Sequence, residues 1–336
     1  LLDNFWQVLK NTDNPNQHVI AIRGTVNTTP SILADLLLPL VKARIGIKGF
    51  PLSINLARDE GDSKVVAGVH AGFLLGLLLM LVTTDRPLAA TLTELALNPD
   101  AEIYITGHSQ GASLALLLTS LVNHTGAFKS TYKTYAFAPA KPGNDHYAYD
   151  LDQVASVMGF CYSVVNSQGW VPQVPLTLQT FGTVNTPNPV YEFSGQVNPA
   201  IPAELKKLLE EFDEGFKAVW NDIKNLLEKI IGDLKADVPK ATFALTASGV
   251  GAQGDATFEA STFTSLLDDL LSMLLPSLNY AKAGALVPVF AQPGGNPADK
   301  KYNQFDFFWQ HHLCNYLHYL TQQYGPEAGG CLRALI

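Results

Sequence analysis

Apolar residues fall into short runs that suit strands and longer runs at helical spacing. Residues 17–22 (QHVIAI) form an apolar run that ends at Arg23-Gly24-Thr25, a strand entering a turn. Residues 4–10 (NFWQVLK) predict an earlier strand, and the Asn-, Asp- and Pro-bearing stretch 11–16 predicts a hairpin between the two. Residues 102–106 (EIYIT) predict a strand that runs into Gly107 and then a helix over 112–122. Residues 131–138 (TYKTYAFA), 161–166 (CYSVVN) and 285–291 (ALVPVFA) predict further strands. Strand, helix, strand, without internal repeats, argues for parallel βαβ units.

Other segments are less regular. Residues 27–64 mix an apolar run, Gly/Pro punctuation and charge, and read as an excursion with a short helix. Residues 65–82 (VVAGVHAGFLLGLLLMLV) are 18 positions without a charge. That is long enough to span a bilayer if helical. Gly68, Gly72 and Gly76 have the spacing of close-packed membrane helices. His70 interrupts the run and no basic flank orients it, so a helix buried between a sheet and another layer is favoured. Residues 181–202 are rich in Pro, Asn, Gly and Thr. A long amphipathic helix follows over 203–236, its apolar residues recurring in steps of three and four. Residues 266–275 predict a second apolar helix, and 306–320 an aromatic, histidine-rich helix or turn. Residues 181–278 are expected to cover the sheet as a helical cap, or to pack elsewhere for stability.

Composition narrows the classes. Of 336 residues, 47% are apolar and only 15% charged, which suits a large packed core and excludes disorder as the main state. Twenty-two Lys and Arg against 30 Asp and Glu give a net charge of −8. No basic stripe is present, so nucleic acid is not an expected partner. The mean hydropathy is slightly positive, which favours an apolar substrate or a lipid surface. Cys161, Cys314 and Cys331 show no C-x-x-C spacing, so neither a metal nor a redox centre is expected. One disulfide plus a thiol, or three thiols, remain open. No charged and apolar leader opens the chain and it does not begin with Met, which reads as a processed or trimmed start.

The strongest local signal is Gly107-His108-Ser109-Gln110-Gly111, a G-x-S-x-G between a predicted strand and a predicted helix. A sharp turn there lifts the serine hydroxyl out of the sheet, and the glycines let neighbouring backbone pass. The helix N-terminus behind it favours developing negative charge. A plain tight βα turn is the bland alternative. A serine nucleophile needs a base, an orienting acid and donors for the oxyanion. The backbone N–H of Gln110 is one candidate donor, and the Arg23-Gly24-Thr25 loop is placed to supply another. His108, inside the motif, is expected to point away from the nucleophile.

Together these pieces resemble the class 3 lipase family, the fungal-type triacylglycerol lipases and their relatives. The matching stretches are IAIRGT (20–25), VHAGF (69–73), ITGHSQGASLA (105–115), YAFAPAKPGN (135–144), VVNSQGWVPQVP (164–175) and HHLCNYLHYL (311–320), in the family's order. They cover about 25–180 and 285–320 and leave the insertion uncovered; the family's earliest strands are missing. The resemblance implies Ser109 as nucleophile, Thr25 and Gln110 as oxyanion residues, a structural His70 and an Arg23 that braces the oxyanion loop. It also implies a base near the C-terminus, His311 or the adjacent His312. The family's H-x4-Y-L-H phase favours His311, five residues before Tyr316.

The acid is where this chain departs. The family reads N-x-x-D-x-V-P, whereas here Asn166-Ser167-Gln168-Gly169-Trp170-Val171-Pro172 puts Gly169 at the acid position. Either the position was mutated, or Asp145 or Asp306 substitutes, or a weakened Ser–His dyad remains. Without correct histidine orientation, turnover falls about 10⁴-fold while the oxyanion hole and binding retain roughly 10³–10⁴ over water.

The expected architecture is an α/β-hydrolase fold with a mostly parallel central sheet and helices on both faces. Its core would be 1–180 and 279–336, with a lid-like excursion at about 27–66 and a mainly helical cap at 181–278. The expected activity is carboxylic ester hydrolysis, foremost of triacylglycerol, without cofactor or metal. An acyl ester or lipid substrate, peripheral contact with a lipid interface and secretion go with it. The rivals are an esterase or phospholipase A on another acyl substrate, a lipid-binding pseudoenzyme, and an integral membrane protein resting on 65–82 alone.

Overall fold

The computed structural model describes residues 5–24, 39–46, 53–58, 66–82, 87–126, 128, 130–180, 183, 190, 197–237, 259–292 and 308–326. Its centre is a six-stranded sheet. The first strand, β1 (Trp6–Lys10), pairs antiparallel with β2 (Gln17–Ile22), the predicted hairpin. The chain then forms β3 (Leu40–Lys42), the hairpin strands β4 (Arg44–Gly46) and β5 (Ser53–Asn55), and β6 (Gly68–His70). Helices α1 (Ala71–Val82) and α2 (Leu88–Ala96) follow, then strand β7 (Glu102–His108) and helix α3 (Gln110–Thr125). Strand β8 (Thr131–Phe137), the short β9 (Gly143–Asn144), helix α4 (Asp145–Leu151) and strand β10 (Cys161–Asn166) continue the alternation. After helices α5 (Ala203–Asp237) and α6 (Ala260–Ser272) come β11 (Leu274–Leu275), β12 (Tyr280–Ala281) and β13 (Ala285–Val289). Helix α7 (Leu313–Tyr324) ends the described chain.

The strand order is β1-β2-β7-β8-β10-β13, and every pair beyond the first hairpin is parallel. The parallel order is what the strand–helix alternation predicted, and it agrees with the α/β-hydrolase fold that the resemblance implied. In an open parallel sheet, ligands bind at the carboxyl ends of the strands. Here those ends are Ile22, His108, Phe137, Asn166 and Val289.

The apolar run 65–82 divides differently from its prediction. Its first part is β6, and only Ala71–Val82 is helical. Both parts are fully buried, so hydrophobicity alone could not separate them. His70 marks the join: its Nδ1 accepts from the N–H of Gly72 and of Phe73, capping the helix from within the core. That is a structural role for His70. Every residue of α1 is buried, and it packs on α2 and α3. A helix apolar all round belongs inside. Among the described residues no helix is long and apolar enough to cross a membrane.

A second, five-stranded sheet, β11-β3-β6-β9-β12, was not foreseen. Its strands are two or three residues long, too short for a periodic signal. The described parts of the 27–66 excursion hold the strands β3, β4 and β5; its expected helix lies outside the described residues.

Helix α5 matches its amphipathic prediction. Phe216, Trp220 and Ile223 gather with Leu40, Leu278 and Tyr280 of the second sheet's side, while Leu227 and Ile231 join the main core. Helix α6 contributes Phe263, Leu266, Leu267 and Leu270 to that core. It starts six residues before its expected start at 266, and residues 274–275, expected to be helical, are β11. The last helix also starts later than 306: a 3-10 turn at Trp309–His311 precedes α7. Cys161 and Cys314 form no disulfide with each other; burial pushes the Cys161 thiol up to about 12, which keeps it inert. Cys331 lies outside the described residues.

Candidate active site

Strand β7 ends at His108 and α3 begins at Gln110, so Ser109 alone makes the turn between them. Its backbone sits at φ 60, ψ −130, a conformation that costs an L residue on the order of 1–3 kcal/mol and persists only where its surroundings impose it. Here the glycines of the motif impose it. A Cβ on Gly107 would lie 2.3 Å from the Gly111 carbonyl oxygen, and one on Gly111 would lie 2.2 Å from that of Ile22. The helix start is thus pressed against the ends of β7 and β2. The Ser109 N–H donates to the Phe137 carbonyl at 3.0 Å, tying the turn to β8 as well.

These contacts are with backbone and cannot relax by a rotamer change. Gly111→Ala is expected to destabilise the fold by about 1–3 kcal/mol, the range of overpacking. Gly46→Ala, which meets nothing within 4 Å, is the control. Urea denaturation midpoints of the two variants check this, and equal midpoints would refute the close approach.

The β2 end comes to the same place. A Cβ on Gly24 would meet the His108 carbonyl oxygen at 2.6 Å and Ser109 Cβ at 3.3 Å. Thr25, the next residue and an expected oxyanion donor, lies outside the described residues. Arg23 turns the other way: its guanidinium lies over the Phe5 ring, 5.2 Å from its centroid, and its N–H donates to the Phe5 carbonyl. That braces the loop against the chain start. Gln110 is buried as the first residue of α3, where helix geometry aims main-chain N–H groups out of the N-terminus.

The histidines arrive from the other end of the sequence. His311 closes the 3-10 turn and is buried, while His312, the residue before α7, is half-buried. The His311 ring lies 4.4 Å from the ring of His108. His108 Nε2 donates to the His311 carbonyl at 2.7 Å. His108, expected to point away from the nucleophile, directs its ring at the histidine turn, a contact the sequence did not announce. Burial pushes His108 down to about 4 from the usual 6.5, with His312 adding to the effect and the carbonyl bond opposing it. The ring is neutral at pH 7, and its one proton is on Nε2. Burial also holds His311 well below its ordinary value, and His108 and His312 add to this. Its Nδ1 is buried without a hydrogen-bond partner among the described residues.

The acid position lies in the turn after β10, and that turn is bonded to the histidine turn. Asn166 Nδ2 donates to the Gln310 carbonyl at 2.8 Å, and the Trp170 ring packs on Phe308. Gly169 sits between, its N–H donating to the Asn166 carbonyl. It is not among the positive-φ glycines, and a Cβ there would find Asn166 O at 3.3 Å and Tyr316 Oη at 3.5 Å. Nothing in the backbone requires a glycine. Of the substitute acids, Asp145 opens α4, where it accepts from Asn279 Nδ2 and lies beside His146. Asp306 lies outside the described residues.

A strand-turn-helix with a strained serine at the carboxyl edge of a parallel sheet, its neighbour His108 bonded to a histidine turn, is the arrangement of an α/β-hydrolase. More narrowly, residues 19–179 match the family Lipase (class 3). A stretch of 78 residues is 33% identical to the Secreted mono- and diacylglycerol lipase 3 of Gibberella zeae, covering 23% of this chain and 24% of that protein. The chain thus aligns with about a quarter of that relative's length. Similar solved structures include M37 lipase, with 17% identity over 99% of this chain and 80% of that one, at TM-score 0.49. The Lip2 lipase of Yarrowia lipolytica is 20% identical over 52% of this chain and 58% of that one, at TM-score 0.39.

Proposed function

We propose that the chain is a carboxylic ester hydrolase, a lipase acting on acylglycerols, with Ser109 as nucleophile and His311 as base. The observation that carries this is the Ser109 turn: a serine in a conformation its neighbours enforce, beside a histidine turn bonded to the preceding residue. In this reading, His311 takes the Ser109 proton as Oγ adds to the ester carbonyl. The N–H groups of Gln110 and Thr25 hold the oxyanion. The tetrahedral adduct expels the alcohol, which takes the proton from His311, leaving an acyl-Ser109 ester. Water, deprotonated by His311, then releases the fatty acid and restores the serine.

Gly169 stands at the acid position, so the histidine works without an orienting carboxylate and turnover is low. His312 is the second candidate base, beside His311. Asp145 and Asp306 remain the rival acids. The low charge of the chain and its acidic balance suit an uncharged acyl substrate and peripheral contact with a neutral lipid surface. Secretion is proposed by likeness to the Gibberella zeae protein, which its name describes as secreted.

Gly169 also favours a second reading, a lipid-binding protein that kept the fold and lost the reaction. A fluorophosphonate separates the two. A hydrolase is labelled at Ser109, and it cleaves medium- and long-chain p-nitrophenyl esters faster than the acetate. Failure of any label to form on Ser109 would leave the binding protein as the reading.

A further inference from the structure

The turn that carries His311 is gripped by its backbone. Three successive carbonyls each accept from a side-chain N–H that comes from a different place in the fold. Asn315 Nδ2, on α7, donates to Trp309 O at 2.5 Å. Asn166 Nδ2, at the end of β10, donates to Gln310 O at 2.8 Å. His108 Nε2, at the end of β7, donates to His311 O at 2.7 Å, from 203 positions away in sequence. The last of these also meets the ring: the two imidazoles face one another at 4.4 Å, tilted by 33°. The His108 ring also makes a T-shaped pair with Tyr316, centroids 6.3 Å apart.

A histidine base is ordinarily fixed through its Nδ1–H by a carboxylate, which sets both tautomer and ring direction. In this chain Nδ1 of His311 has no partner among the described residues, and position 169 offers no side chain. Among the described residues, the orienting force reaches the residue another way. The neighbour of the nucleophile supplies one, since His108 and Ser109 are consecutive and any shift of His108 moves both.

We propose that His108 is a positioning residue, which holds His311 in register with Ser109 through the His311 carbonyl and ring face and takes over the orienting task that a carboxylate at position 169 would perform. The inference rests on the reading of His311 as base. It assigns His108 a contribution that is large because residue 169 is glycine, and that shrinks when a carboxylate is restored there.

A double-mutant cycle tests it, with kcat, KM and thermal midpoint measured for hydrolysis of a medium-chain p-nitrophenyl ester. In the parent chain, His108→Leu is expected to lower kcat about 10²-fold, the cost of a misplacement near 1 Å, with KM little changed. His108→Gln keeps an amide N–H within reach of the same carbonyl and is expected to recover most of that loss. In the Gly169→Asp background, the His108→Leu loss is expected to fall below about tenfold, a strong departure from additivity. A merely structural His108 would lower the midpoint and give the same fold-loss in both backgrounds. That additivity, or a Gln variant no better than Leu, would overturn the proposal. His311→Ala is measured alongside. If it leaves activity intact, the base assignment and this inference both fall. If it abolishes activity while the cycle is additive, only the role of His108 falls.

Discussion

Replacing Gly169 with Asp is expected to raise ester hydrolysis by up to about 10⁴-fold, the factor lost when a triad histidine is wrongly oriented. The site is prepared for the change. Gly169 occupies ordinary backbone space, and its nearest neighbours to a new Cβ are 3.3 to 3.5 Å away, so they need to give by only a few tenths of an ångström. The turn is already bonded to the histidine turn through Asn166 and Gln310. A pH profile sharpens the test. In the parent chain, burial holds His311 well below 6.5, so the base stays neutral in mild acid and the acid limb of kcat/KM lies well below that pH. A carboxylate beside it stabilises the protonated ring and raises its pKa. The limb should therefore move towards neutral pH, and the gain at pH 8 should exceed the gain at pH 5. Robust parent activity that Gly169→Asp leaves unchanged, with no movement of the limb, would mean that another carboxylate holds the histidine. Asp145→Asn and Asp306→Asn would then identify it.

What was readable in the sequence follows the reach of each signal. The strands at 17–22, 131–137 and 161–166 carry dense apolar and aromatic residues, and their edges were legible to within a residue. The elbow was legible because Gly107 and Gly111 answer to clashes within a few positions and with one neighbouring strand. The second sheet was not, because strands such as β9 and β12 exist only through the partners they meet. The run 65–82 misled because Gly68–His70 is as apolar and as buried as the helix it feeds. The contact of His108 was hidden for a related reason. Its bond partner, 203 positions away, is a main-chain carbonyl, which no residue type announces. The empty acid position was legible only against the pattern the chain resembles, since a glycine that no turn requires leaves no local mark.

Removing the nucleophile separates the remaining readings by the size of its effect. In serine hydrolases, losing the serine costs about 10⁶ in kcat, yet losing the acid alone already costs more than about 10⁴, because the groups act as a unit. Ser109→Ala in the parent chain should therefore cost only about 10²-fold, what a Ser–His pair without its acid still adds. In the Gly169→Asp background the same substitution should cost about 10⁶-fold, since it then dismantles a complete triad. The contrast does not depend on how fast the parent is. If Asp145 or Asp306 already completes the triad, Ser109→Ala takes the full factor of about 10⁶ from the parent, and Gly169→Asp adds nothing. If the chain is a binding protein, Ser109→Ala changes nothing in the parent while lipid binding persists. Rates for Ser109→Ala in both backgrounds, read with the same ester and with fluorophosphonate labelling as a check on Ser109, give a different pair of numbers for each case.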